Sequence, residues 1–337
     1  MGKPKVCICI PAYNTGKFIR ETIESVLAQD YENLSIIVID NGSTDETQGI
    51  VGSFKDKRLA CKRFDKTLPP CENWNRCFGL AKGDYLAIYH SDDIYEKDAA
   101  SKEVEFLEKN RDCVAVFSSA TLISGSGKKI GETSRPGAFS KGKADARELL
   151  AFSMRSGYFP LICPTFMVRM SAVEKCGAFD CSGYKFAFDM DYYLRLAEFG
   201  EIGFLEQKLI RYRQHPLQGS VRFNDVIDTQ REFFQILEKS IGRWGMEFGE
   251  KDWKRLRAYE RWGGVVDALT YVRAGNSEAA LKLTKESFRP LDGLVDFPSP
   301  RFMWRAIFTF WFLVLQYLWL GKAFASLVFW YRKRKRE

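Results

Sequence analysis

Short unbroken apolar runs alternate with stretches of helical spacing along the first half of the chain. Val6–Ile10 is a continuous hydrophobic strand stopped by Pro11. Phe18, Ile19, Thr22, Ile23, Val26 and Leu27 then recur at three- and four-residue intervals, the spacing of one helix face. The run 35–39 predicts a second strand, and after the turn residues Asn41, Gly42, Ser43 and Thr44 the acids Asp45 and Glu46 mark a helix start. Leu59–Phe64 reads as a third strand, 72–81 as a helix capped by Gly83, 84–90 as a fourth strand, 97–109 as a helix and 113–118 as a strand. Residues 165–170 suit another strand and 171–176 a helix. The alternation predicts an α/β fold, a mostly parallel sheet flanked by helices. From 121 to 160 the pattern loosens, and the Gly- and Lys-rich stretch 131–144 reads as a mobile loop. Residues 223–242, 250–274 and 277–288 read as helices of a C-terminal extension.

Acids stand where the apolar runs end. Asp40 closes the second strand, Asp92 and Asp93 follow the fourth, and Asp189 and Asp191 lie in Phe186-Ala187-Phe188-Asp189-Met190-Asp191-Tyr192. In an open α/β sheet the ligand crevice lies at the carboxyl ends of the strands. A carboxylate kept there without a partner is costly, so these acids point to a nucleotide, a metal and a base. No GxGxxG follows the first strand, which excludes a dinucleotide-type Rossmann site.

Charge and cysteine narrow the class. The net charge is +8 over 337 residues. Residues 301–337 hold eight Lys or Arg against Glu337 and carry +7, so the body is nearly neutral and shows no nucleic-acid footprint. Nine scattered cysteines without a CxxC pair read as thiols in a reducing compartment. With only two histidines, His90 and His215, a zinc site is not expected. The first residues run straight into a strand with no signal-like apolar region, so the body is expected to face the cytoplasm.

Five stretches, in order, resemble the family 2 glycosyltransferases of the GT-A fold over about residues 4–220: Ile10-Pro11-Ala12-Tyr13-Asn14, Val38-Ile39-Asp40 through Asp45, Asn73-Trp74-Asn75-Arg76 through Tyr85, His90-Ser91-Asp92-Asp93, and Phe188-Asp189 through Arg195. The resemblance implies an inverting, metal-dependent enzyme using a nucleotide sugar. It places Pro11, Tyr13, Asn14, Asp40, Asn75, Arg76 and Ser91 on the nucleotide, with Asp40 accepting from a base N–H, preferably of uracil. It places Asp92 and Asp93, with His215, on Mn²⁺ or Mg²⁺, whose hard oxygen ligands suit those ions. Asp189 matches the general base, and Asp191 and Arg213 fall on the acceptor or diphosphate side. The chain departs from the family at His90, where an Asp is usual, and at Phe188, where a Glu is usual. The second departure dries the surroundings of Asp189 and should raise its pKa.

Each motif also has a plain structural reading. Asn14 or Thr15 suits a helix cap, Asp40 an Asx-turn, Asn75 and Arg76 a solvated face, Asp93 and Asp189 caps, and Asp191 an i,i+4 pair with Arg195. Two other functions compete. A sugar nucleotidyltransferase would need a Gly-rich activating loop where Pro11-Ala12-Tyr13-Asn14 stands. A membrane-bound nucleotide-sugar-binding protein with a degenerate site fits the departures at His90 and Phe188.

The tail supplies location. Ala306–Gly321 is a charge-free run of 16 residues rich in Phe, Trp and Leu, and 323–331 continues it to the basic end 332–336. The first run is short for a span, and Lys322 interrupts the longer one. An in-plane or re-entrant helix on an anionic membrane is expected, with a core-packing helix and a solvated basic end as the plain structural reading, dividing the chain into a catalytic domain 1–220, a helical extension 221–300 and a membrane-associated 301–337. The whole predicts transfer of a sugar from a nucleotide-diphosphate sugar to a hydroxyl of a lipid-linked glycan in cell-surface polysaccharide synthesis. The expected place is the cytoplasmic face of the inner membrane, held peripherally or monotopically.

Overall fold

The computed structural model describes residues 2–215, 218, 228–273 and 277–287, with isolated positions between 307 and 328. Strand β1 (Val6–Ala12) is buried along its whole length. It pairs in parallel with β2 (Leu34–Asp40) on one side and β4 (Tyr85–Ile88) on the other. β3 (Leu59–Arg63) lies outside β2. Helices α1 (Gly16–Leu27), α2 (Thr47–Ser53) and α3 (Pro70–Leu80) connect these strands. Fully buried Ile8, Ile10, Ile19, Ile23 and Val38 belong to one core, each worth about 1.5–3 kcal/mol by burial of its side chain. Thr22, polar in this apolar face, gives its hydroxyl to the Asp93 carbonyl at 2.7 Å. The helix face thereby packs the core and holds the turn after β4.

β1 runs one residue past Pro11. The Cys9 carbonyl accepts from Tyr89 N at 2.9 Å. Pro11, oriented alike two residues on, has no N–H to continue that ladder. Pairing with β2 goes on to Ala12 and Asp40, so β1 parts from β4 while still bound to β2.

Beyond β4 the sheet is mixed. After the edge strand β5 (Ile94–Tyr95) and helix α4 (Ala99–Lys109) comes β6 (Cys113–Ser124). β9 (Phe166–Arg169) inserts antiparallel between β4 and β6. β10 (Glu201–Gln214) runs parallel to β6 and pairs antiparallel with β5. The stretch expected as a loop is ordered. β7 (Lys129–Glu132) folds back on β6 and β8 (Lys143–Ala144) pairs with β10, while Phe139 is fully buried against the Phe204 ring at 5.0 Å. Helix α5 (Ala146–Ser156) follows; helices α6 (Met170–Cys176) and α7 (Phe188–Leu196) precede β10.

Two expectations are corrected. Cys71 and Cys181 form a disulfide across 110 residues of sequence, so the cysteines are not all thiols. Folding, not spacing, brings the start of α3 beside the loop ahead of α7. Gly83 does not cap α3, which ends at Leu80 with Ala81 at the C-cap. A Cβ on Gly83 would lie 2.6 Å from the Lys5 carbonyl oxygen; the residue is small because two backbones meet there.

The chain divides into two compact units, Met1–Leu149 with Pro160–Gln214, and Leu150–Phe159 with His215–Glu337. The second holds α8 (Asp228–Arg243), α9 (Glu250–Arg273) and α10 (Ser277–Ser287). Val265, Ala268, Leu269, Val272, Ala280 and Phe312 make its core, with Phe308 and Val328 packed on it. Ile307, Trp311 and Leu327, each one position earlier than a packed residue, are exposed. Among the described residues no helix is long and apolar enough to cross a membrane. Most of 306–331, the basic end and the first residues of the helix expected at 223–242 lie outside the described residues.

Candidate active site

The loops after β1 and β2 are tied to each other. Asn14, in the left-handed region at φ 51°, accepts at Oδ1 from Thr44 N at 2.8 Å and donates its own N–H to the Ser43 hydroxyl at 3.0 Å. Thr15 stands at the N-cap of helix α1, but its side chain makes no capping hydrogen bond. The first amides of the helix instead go to the β2 loop, Thr15 N to Thr47 Oγ1 and Gly16 N to Asp45 Oδ2, both at 2.9 Å. Pro11 is buried and Tyr13 is 44% exposed, its ring open to solvent beside this paired turn.

Asp40 is fully buried. Its Oδ1 accepts from Ser43 N at 2.9 Å, the Asx-turn. Its Oδ2 takes Arg63 Nη1 at 2.7 Å, a cross-strand pair set by the β2–β3 register. The carboxylate is thus held and neutralised by Ser43 and Arg63. Arg76 stacks on the Phe64 ring at 3.8 Å and reaches Asn41 Oδ1 at 2.9 Å. It is not a solvated face but a brace under the loop that Asp40 ends. Asn75 clasps the Phe179 backbone with both amide atoms, at 2.9 and 3.0 Å. Beside the disulfide, it fixes the loop ahead of α7.

The turn after β4 holds the charged group. His90, Asp92 and Asp93 each offer a ligand atom, all within 4.8 Å of one another. Ser91 between them is buried. Asp93 is wholly buried; its Oδ1 accepts from Arg213 N at 2.7 Å, and its Oδ2 makes no hydrogen bond. His90 Nε2 is likewise out of solvent and without a hydrogen bond. A buried polar atom left so costs about 1–3 kcal/mol. Two of them, on residues whose ligand atoms lie this close together, fit a divalent cation. Burial lowers the His90 pKa against the opposing pull of Asp92, keeping a lone pair for a metal, while burial and then Asp92 raise that of Asp93. A cation there would restore ionisation. Arg213, almost fully buried at the end of β10, also gives Nε to the Asp92 carbonyl at 2.8 Å and Nη2 to Glu21 at 2.7 Å. It braces the turn by two bonds and ties it to α1 by the third. The histidine that the first unit brings to Asp92 and Asp93 is His90. His215 begins the second unit, where its carbonyl accepts from Gln218 N at 3.1 Å.

Asp189 lies in the first turn of α7, its Oδ1 accepting from Met190 N at 2.8 Å. Crowding by protein atoms pushes its pKa up to about 6, opposed by the Met190 amide and a hydrogen bond with Cys163. That direction agrees with the loss of the usual Glu at Phe188, which packs instead on Trp74 at 5.5 Å and Phe179 at 5.3 Å. Cys163 accepts from the Tyr193 hydroxyl at 2.9 Å. The same thiol is hydrogen-bonded to Asp189 and within electrostatic reach of Asp93. Asp191 pairs with Arg195 at 2.7 Å, and Arg195 also reaches the Cys176 and Ala178 carbonyls at 3.1 and 2.9 Å, so this pair secures the α6–α7 connection.

Sequence reasoning did not single out Arg63, Glu21, Cys163, Tyr193 or Trp74. Only strand register could have pointed to Arg63, and nothing local marks the others. A second acidic group, Asp112, Cys113 and Glu201, surrounds Lys143, whose ammonium pairs with both carboxylates.

The family model described as Glycosyl transferase family 2 matches residues 7–177. An Escherichia coli relative is 36% identical over 32% of this chain and 42% of its own length; it is named UDP-Glc:alpha-D-GlcNAc-diphosphoundecaprenol beta-1,3-glucosyltransferase WfaP. The chain spans 65% or less of the length of the first curated relatives it matches. Among solved structures, Staphylococcus aureus TarS 1–349 in complex with UDP-GlcNAc aligns with a TM-score of 0.59 at 15% identity, over 93% of this chain and 91% of that one. The mannosyltransferase PcManGT of Pyrobaculum calidifontis, in complex with GDP-Man and Mn²⁺, aligns with a TM-score of 0.51 at 16% identity, over 97% and 86%. These likenesses show the fold.

Proposed function

The chain belongs to glycosyl transferase family 2, and we propose that it is a sugar transferase of glycan biosynthesis whose donor is a uridine-diphosphate sugar. The observation that carries the reading is the Trp74 ring, which meets His90 of the acidic turn at 4.9 Å and Phe188, the neighbour of Asp189, at 5.5 Å. A base and a cation-fitting group then share one small site. Asp189 takes the proton of an acceptor hydroxyl as its oxygen attacks the anomeric carbon. The bond to the diphosphate breaks on the opposite face, with inversion, and the nucleoside diphosphate leaves. A carboxylate with a pKa near 6 is mostly ionised at neutral pH and still basic enough to take that proton. His90, Asp92 and Asp93 would hold a divalent cation, whose charge eases departure of the diphosphate.

On the nucleotide side, the exposed ring of Tyr13 stacks the base and Asp40 accepts one of its N–H groups. The braced loop after β2 holds Asp40 in place. TarS with UDP-GlcNAc and WfaP with UDP-Glc support uridine. A lipid-linked acceptor is supported by the diphosphoundecaprenol in the WfaP name and by the tail. Packing Phe308 and Phe312 leaves Ile307 and Trp311 outward, and a basic end follows, an arrangement suited to lying on an anionic membrane at its cytoplasmic face.

The test is nucleoside-diphosphate release from a panel of nucleotide sugars by detergent-purified full chain. It is run with Mn²⁺, Mg²⁺ or EDTA, with and without lipid extract. Metal-dependent release confined to uridine donors and raised by lipid is expected. Release from a guanosine donor alone sinks the uridine reading, and binding without turnover on any donor or acceptor favours a degenerate site.

A further inference from the structure

We propose that His90 binds the divalent cation directly through Nε2, beside Asp92 and Asp93, and that this nitrogen makes the site select Mn²⁺ over Mg²⁺. The proposal deepens the transferase reading by naming the cation of that site. Three observations converge on it. The ligand atoms of the three residues already lie within 4.8 Å of one another. Two polar atoms of these residues, His90 Nε2 and Asp93 Oδ2, are buried without a hydrogen bond, and Asp93 has no exposed surface. The second oxygen of Asp93 is committed to Arg213 N at 2.7 Å, which leaves Oδ2 as its free coordinating atom.

The imidazole is held for this task. His90 N donates to the Tyr95 hydroxyl at 2.6 Å, and the Tyr95 ring is stacked on Tyr89 with centroids 3.7 Å apart. The imidazole itself meets the edge of Trp74 at 4.9 Å. Backbone and ring are both fixed, so little ordering remains when a cation arrives.

Ligand chemistry sets the preference. Mg²⁺ asks for six oxygens in near-ideal octahedral order, whereas imidazole suits softer first-row ions. A neutral histidine beside two carboxylates also carries one negative charge fewer than three acids would. A bound divalent cation then balances the group, and an incoming diphosphate meets less residual repulsion.

The experiment follows Mn²⁺ by electron paramagnetic resonance on the full chain in detergent, with metal alone and with metal plus UDP. Wild type is expected to bind Mn²⁺, to show a nitrogen hyperfine coupling in pulsed spectra, and to keep most of the Mn²⁺ against about a hundredfold excess of Mg²⁺. His90→Asp is expected to bind Mn²⁺ without the coupling and to release it to Mg²⁺, losing about tenfold or more in selectivity. A wild-type Mn²⁺ complex without nitrogen coupling overturns the proposal, and so does unchanged selectivity in His90→Asp or no Mn²⁺ binding under either condition. The wild-type coupling decides the matter even where a variant fails to fold. A nitrogen-bound Mn²⁺ with no transfer from any donor would refute the transferase reading and leave this proposal standing; transfer with an all-oxygen site would do the reverse.

Discussion

Replacing Asp189 by asparagine isolates what the fold spends on keeping an acid in a crowded place. The carboxyl rises from 3.8 to about 6, and at about 1.4 kcal/mol per pKa unit this is about 3 kcal/mol, an upper bound because part of the residue reaches solvent. The sign follows from the direction. The unfolded chain ionises this group near pH 3.8 and the folded chain near 6. Its stabilising contribution is therefore whole below about pH 4 and lost as pH rises through about 6. Asparagine keeps the Oδ1 acceptor for Met190 N at 2.8 Å and has no charge to bury. The variant should match wild type near pH 4 and exceed it at pH 8 by up to about 3 kcal/mol, several degrees of melting temperature at roughly 2–4 °C per kcal/mol. Thermal melts across that range read the difference, and transfer rates on the same samples read the chemistry. Wild-type transfer should climb about tenfold per pH unit below pH 6 and flatten above it, with the variant inactive throughout. An excess stability that is absent, or equal at pH 4 and pH 8, refutes the reasoning about burial; a rate profile with no break near 6 refutes the base.

Three further outcomes are expected. Glu103, fully buried with Tyr89 OH on its Oε2 at 3.0 Å, has its pKa pushed by burial to about 8. Glu103→Gln should therefore be near neutral at pH 4 and progressively more stable than wild type from about pH 5 to 8, read by chemical denaturation. Arg63→Met leaves Asp40 buried and unpaired, and calorimetry should show a loss of about 3–5 kcal/mol together with weakened donor binding; an unchanged melt would show that Asp40 does not depend on its partner. Removing the Cys71–Cys181 bond by paired serine substitution should lower stability by up to about 4 kcal/mol through the long closed loop. Amide exchange should rise in 178–187, ahead of Asp189, and uniform exchange there would place the loop's order elsewhere.

The parallel half of the sheet is readable in the sequence because β1 and β2 are apolar runs with helical spacing between them. β10 is not, since its register shifts around Leu205–Lys208 and polar Glu206 and Gln207 interrupt its alternation. β9 looks like any strand, and only pairing with β4 and β6 tells its direction. The helix α5 did carry a signal, with Leu149, Leu150, Ser153 and Met154 buried at helical spacing, hidden inside a stretch that glycine and lysine made look irregular. In the site, Asp92, Asp93 and Asp189 stand out because acids at the ends of apolar elements need a reason. Arg63 and Cys163 do not, because their neighbours are 23 and 26 residues away in sequence and meet them only through tertiary structure. His90 was visible as a departure, but its convergence with the two aspartates is a property of the folded turn.

The ion pair at Asp40 separates two kinds of recognition. A bare carboxylate at the nucleotide end would repel a diphosphate throughout the cleft. With the Arg63 guanidinium 2.7 Å away, its far field becomes that of a dipole and dies off over a short distance. On the proposed reading, Asp40 would then speak to a base only by touch, while charge is left to the turn at the other end. Base preference could therefore drift through changes at Asn41–Thr44 with no retuning of how strongly the phosphates are drawn in. A fold that hosts donors with different bases, as the uridine and guanosine complexes of its neighbours show, gains from that independence.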